Sequence, residues 1–161
     1  MTQVRQAVAA DERDILDLLV QLLEGLAPLY QSDWANSGDA LSSVRDRIEK
    51  RQVLVAEVDG NIVGAVSWRP RVAPPPHRMV RYAELETLFV VPDWREQGIA
   101  HQLCERVQRA CLEQAIPQVR VERRLGAKET SLFAAVGFVE YEKTLIWPRK
   151  SLGPSGADGQ D

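Results

Sequence analysis

The segment Glu84–Ala100 constrains the fold most, because two incompatible hydrophobic periods meet in it with a hard stop between them. Leu88-Phe89-Val90-Val91 is an unbroken apolar run, the pattern of a strand buried on both faces. Pro92 ends it, since proline has no N–H to give to a ladder. From Ile99 the apolar positions become Ile99, Leu103, Val107, Ala110 and Cys111, one face of a helix. Between them lies Arg95-Glu96-Gln97-Gly98-Ile99-Ala100, which ends in small residues. The first turn of a helix carries unpaired N–H groups and partial positive charge. Gly98 and Ala100 leave an anion room to reach that backbone, so the turn predicts a pyrophosphate cradle. No Gly-Lys-Ser/Thr follows and no Gly-x-Gly-x-x-Gly is present, which excludes a Walker A loop and a dinucleotide fingerprint.

Val90-x-Pro92-x-x-Arg95-x-x-Gly98-Ile99-Ala100 resembles the coenzyme A signature, Arg/Gln-x-x-Gly-x-Gly/Ala, of the GNAT N-acetyltransferase superfamily. Ser131–Phe138 is similar to that family's second motif, a short helix closed by Gly-Phe. The likeness runs from Val4 to Ile146. It implies an α/β (α+β) fold with a mixed, mostly antiparallel sheet, helices on both faces and two splayed central strands. The splayed strands would be those near Leu88–Val91 and Val119–Glu122. Backbone groups of Phe89, Val90 and Val91 freed by the splay would meet the pantetheine arm as a pseudo-strand. Arg95, Glu96, Gln97, Gly98, Ile99, Ala100 and Phe133 complete the implied acetyl-coenzyme A site. The implied reaction is direct acetyl transfer to a primary amine of a small molecule or peptide. A catalytically inactive acetyl-CoA sensor of the same fold is the alternative.

Glu84 stands where some members of that family carry a base, and Glu86 shares its face by strand alternation. Paired carboxylates attract a cationic amine and raise each other's pKa. Tyr30 and Trp34 are acceptor-pocket candidates by resemblance, in the connection between two N-terminal helices. Two departures stand out: Phe133 where many members have tyrosine, and Gly126 where they often have asparagine. A thiolate of pKa near 8.5 needs little acid help, so Phe133 is expected to pack beside the thioester or pantetheine.

The remaining chain fits one domain over residues 1–150, with 151–161 a disordered tail. Val4–Val8 reads as a strand, and Asp11 as the cap of a helix with Ile15, Leu18, Leu19, Leu22, Leu23 and Leu26 on one stripe. A second helix follows from Asp39. Val53–Val58 and Ile62–Trp68 flank Asp59-Gly60-Asn61, a hairpin signal. Val72–Arg78 reads as an extended proline loop, Arg81–Val91 as a strand, and Phe138–Ile146 as the last strand. Of the 161 residues, 45% are hydrophobic and 27% charged, with a net charge of −3. Nothing there favours nucleic acid as a partner. No apolar run is long enough to span a membrane and no signal-peptide pattern opens the chain, so a cytoplasmic protein is expected. Cys104 and Cys111 sit about 10 Å apart on one helix, too far for a disulfide. His77 and His101 match no ligand spacing, so no metal is expected. The acceptor stays open among antibiotic, polyamine, amino acid, peptide N-terminus and lysine, and a homodimer is also open.

Overall fold

The computed structural model describes residues 1–25, 37–73, 81–121 and 127–140. Its elements are β1 (Thr2–Gln6), α1 (Glu12–Gly25), α2 (Gly38–Glu49), β2 (Val53–Val58), β3 (Asn61–Val72), β4 (Arg81–Val90), α3 (Ile99–Glu113), β5 (Val119–Arg120) and α4 (Ala127–Ala135). The sheet order is β1-β2-β3-β4-β5, antiparallel except for the parallel β4–β5 pair. Each sheet face carries its own core. Leu54, Val66, Trp68, Leu85 and Val90 pack with Ile99, Leu103, Val107 and Cys111 of α3. On the other face Val53, Val55 and Ala65 pack with Ile15 and Leu18 of α1 and Val44 and Ile48 of α2. Among the described residues, no helix is long and apolar enough to cross a membrane.

Several boundaries move from those the sequence suggests, for local reasons. The first strand is Thr2–Gln6, two residues earlier than expected, because Ala9–Asp11 forms a 3-10 turn ahead of α1. The Asp11 carboxylate accepts from the Val8 N–H at 2.8 Å and pairs with Arg5 at 2.7 Å. That hydrogen bond from the Arg5 guanidinium holds the Asp11 carboxyl below the usual carboxylate range. Arg5 also reaches Glu57, so one cation ties β1, β2 and the entry to α1 together. β3 runs on to Val72, through Pro70. Trp68 N–H still donates to Gln52 O, so the ring nitrogen two residues on faces the space beyond the start of β2. There a missing donor costs no ladder bond.

β4 carries a bulge that sets the whole site. Leu85 pairs with Trp68 and Thr87 with Ser67, so Glu86 has no partner of its own. An extra residue shifts the side-chain alternation by one. Ala83 and Leu85 before the bulge, and Leu88 and Val90 after it, therefore share the face toward α3. Glu86, Thr87 and Phe89 turn to the face toward α1 and α2.

α4 ends in a double hydrogen-bonded cap. Gly137 N–H donates to Ala134 O and Phe138 N–H to Phe133 O, with Gly137 at φ +90°. The apolar contact that accompanies such a cap joins its outer residue to the last turn. Here it is Phe138 against Phe133, edge to face with ring centres 5.2 Å apart. Phe138–Glu140 form no strand, and the expected strand beyond them lies outside the described residues.

Candidate active site

Among the described residues, β5 pairs with β4 at Ala83–Val119 and Glu84–Arg120. Arg120 lies over the Tyr82 ring at 4.1 Å, beside that short pairing. Among the described residues the rest of β4, to Val90, has β3 as its only neighbour. Its far edge is open among those residues. This is the splay expected of the central strands.

The open edge exposes fewer groups than the sequence suggested. Val91 N–H donates to Val63 O at 2.9 Å, so it belongs to the sheet and is not free. Successive residues of a strand aim their backbone groups in opposite directions. Val90 therefore directs its N–H and C=O away from β3, and Phe89 directs its own toward β3. The Val90 carbonyl accepts from Arg95 Nε at 2.8 Å. Its N–H is left as the donor at the open edge nearest the turn.

Two clefts lie on opposite faces of this strand end. The smaller, about 170 Å³, is lined by Val90, Trp94, Arg95, Glu96, Gly98, Ile99, Ala100, His101 and Leu132. Gly98 caps α3 at φ +80°, and its carbonyl accepts the helix's early bond from Gln102 N–H at 3.0 Å. Other residues rarely adopt that conformation. A Cβ on Gly98 would stand in open space, so the cradle itself is unfilled by protein atoms. The N–H groups of the first turn of α3, the small side chains and this open space fit a pyrophosphate. Glu96 is also left-handed, at φ +62°. Gln97 turns back to Asp93 O and is not among the lining residues. Arg95 folds over the Phe89 ring, 5.2 Å from its centre.

The larger cleft, about 260 Å³, lies between α1, α2 and the other sheet face. Ile15, Leu18, Leu19 and Leu22 come from α1, and Ser43, Val44 and Arg47 from α2. The sheet gives Val53, Ala65, Ser67, Glu86, Thr87 and Phe89. Phe89 thus presents its side chain to this cleft, not to the smaller one. Ser67 and Thr87 pair hydroxyls across the strands at 2.6 Å.

Glu84 and Glu86 do share a face, but they do not face one another alone. Arg69 lies between them, 3.5 Å from Glu84 and 3.0 Å from Glu86. Arg71 holds Glu84 at 2.6 Å and Arg47 holds Glu86 at 3.1 Å. The pair of carboxylates expected from the sequence is instead a five-residue ionic cluster. Only Glu86 of the two lines the cleft. Ser43, Arg47, Ser67 and Thr87 went unnoticed in the sequence, since the elements that bring them into one cleft lie far apart along the chain. Trp94, His101 and Leu132 were equally unmarked. Tyr30 and Trp34 lie outside the described residues.

Phe133 is 3% exposed, within the core, and its neighbour Leu132 is the α4 residue that lines the smaller cleft. The ring serves the α4 cap, not the cleft wall. Phe133→Tyr should therefore bury a hydroxyl without a partner and cost about 1–3 kcal/mol of unfolding free energy. Denaturant titration checks this, and unchanged stability with a gain in turnover would show that the hydroxyl reaches the reacting sulfur.

Comparison with known proteins adds the family. A family model for the acetyltransferase (GNAT) domain matches residues 25–146. A search of curated proteins finds no match. Among solved structures, the enzyme AAC(6')-Iy in complex with a CoA-based bisubstrate analog is similar at a TM-score of 0.73 and 20% identity, over 93% of this chain and 99% of that one. An aminoglycoside 6'-N-acetyltransferase, AAC(6')-Ih from Acinetobacter baumannii, gives 0.69 and 20%, over 92% and 98%. An acetyltransferase of Trypanosoma brucei gives 0.66 and 18%, over 92% and 100%. At these identities the solved structures establish the fold. With the family model covering most of its length, the chain belongs to the GNAT acetyltransferase family, as an acyltransferase whose co-substrate is acetyl-coenzyme A.

Proposed function

We propose that this protein transfers the acetyl group of acetyl-CoA directly to a primary amine of a small molecule or peptide. One observation carries the reading: two clefts on opposite faces of the end of β4, separated by the single residue step from Phe89 to Val90. A thioester laid along the open edge from the Gly98 side would present its carbonyl where the second cleft ends. In the step itself the amine nitrogen forms a C–N bond to the thioester carbon. The C–S bond breaks, coenzyme A leaves as thiolate and one amine proton departs. The Val90 N–H is the donor for the developing oxyanion. A cytoplasmic location belongs to the same proposal.

Amine deprotonation is the difficult part. A primary amine with a pKa near that of lysine is about one part in a thousand neutral at pH 7.4. Glu86 takes the base role in this reading, because it lines the acceptor cleft. A carboxylate offers roughly four lone-pair sites. Arg47 contacts both Glu86 oxygens, at 3.3 Å and 3.1 Å, and Arg69 contacts Oε1 at 3.0 Å. The one hydrogen bond, from Arg47, goes to Oε1, which leaves Oε2 lone pairs for the amine. Glu84 acts through Arg69, as a positioning residue.

Acetyl-CoA at a hundred times its dissociation constant should stabilise the protein by about 2.7 kcal/mol, raising Tm by roughly 5–10 °C. Gly98→Val should lower the unliganded Tm, through the left-handed backbone, and abolish the shift by filling the cradle. Equal shifts in both proteins would remove the cradle from the account. Thiol release across amines then tests the base. Glu86→Gln should lower turnover by about 10²–10⁴ with the acetyl-CoA shift retained, and normal rates across pH 6–9 would leave deprotonation to solvent.

A further inference from the structure

The larger cleft has a chemistry of its own, which the family does not fix. Among the described residues its wall is made by Leu18, Leu19, Leu22 and Phe89, against a polar end at Arg47, Ser67, Glu86 and Thr87. Leu19 and Leu22 are only half-buried, so the wall keeps apolar surface in contact with water. An occupant that covers that surface gains by it, at about 25 cal/mol per Å². The polar end carries little net attraction for positive charge. Of the ionic cluster only Glu86 and Arg47 line the cleft among the described residues, one charge of each sign, and Arg47 already holds Glu86. Several ammonium groups brought there together would find a single carboxylate, with a guanidinium beside it. The volume, about 260 Å³, lies just below the roughly 300–1,000 Å³ of sites that enclose drug-sized ligands.

We infer that the acceptor is a small primary amine with a single positive charge on an apolar body, its amine at Glu86 and its tail along α1. Polyamines and amino sugars, which carry several charges and many hydroxyls, are poor partners for this wall. The inference rests on the acetyltransferase reading of the site and narrows it to one substrate class.

Two measurements test it, the first by thiol release from acetyl-CoA. From propylamine through butylamine and pentylamine to hexylamine, kcat/KM should climb about fourfold per methylene. Hexylamine should exceed spermidine and neamine at least tenfold. Leu22→Gln should flatten the climb. The second measurement is calorimetric binding of hexylamine to the protein saturated with coenzyme A, which needs no turnover. Binding without transfer would support the apolar acceptor cleft and sink the transferase reading. Transfer that favours spermidine or neamine, or a flat chain-length series, would overturn the inference and leave the transferase reading standing. Neither binding nor transfer with hexylamine would also overturn it.

Discussion

The site depends on a pairing that stops early. β5 engages β4 at two positions, Ala83 and Glu84, and from there the edge of β4 is open among the described residues. A backbone N–H buried without a partner is costly. An open strand edge next to a helix N-terminus is therefore a binding surface by construction, for a ligand with both amide groups and phosphates. In the proposed complex, pantetheine and pyrophosphate would supply those in that order. The protein spends one of the freed groups on itself, since Arg95 caps the Val90 carbonyl, and leaves the N–H beside it.

The second constraint is the bulge at Glu86. Without it, strand alternation would place Thr87 and Phe89 on the same face as Leu85 and send Leu88 and Val90 to the other. The extra residue instead keeps Leu88 and Val90 in the core under α3 and gives Glu86, Thr87 and Phe89 to the opposite cleft. Two substrates can then approach one strand end from opposite sides. Bulges are common beside active sites because they re-aim side chains at little cost to the sheet.

Much of this was legible in the sequence where it depended on local chemistry. Pro92 does end the approach to the turn, a helix does start at Ile99, and Asp59-Gly60 does join β2 to β3. The bulge also left a trace, for Ala83, Leu85, Leu88 and Val90 skip one position in their period. What the sequence hid was long-range. Arg47 lies 39 residues from Glu86 and still holds it, and no spacing rule reaches that far. Val91 reads as part of a free edge until its bond to Val63 is seen. Phe133 occupies a position suggestive of chemistry, yet its ring completes a helix cap with Phe138.

The amide of Val90 gives the most direct test of the open-edge account. Hydrogen exchange should find Val90 N–H unprotected in the free protein while Val91, bonded to Val63, is already slow. Saturating coenzyme A should slow Val90 and leave Val91 nearly unchanged. Strong protection of Val90 in the free protein, or no response to coenzyme A, would contradict a free donor at the splayed edge.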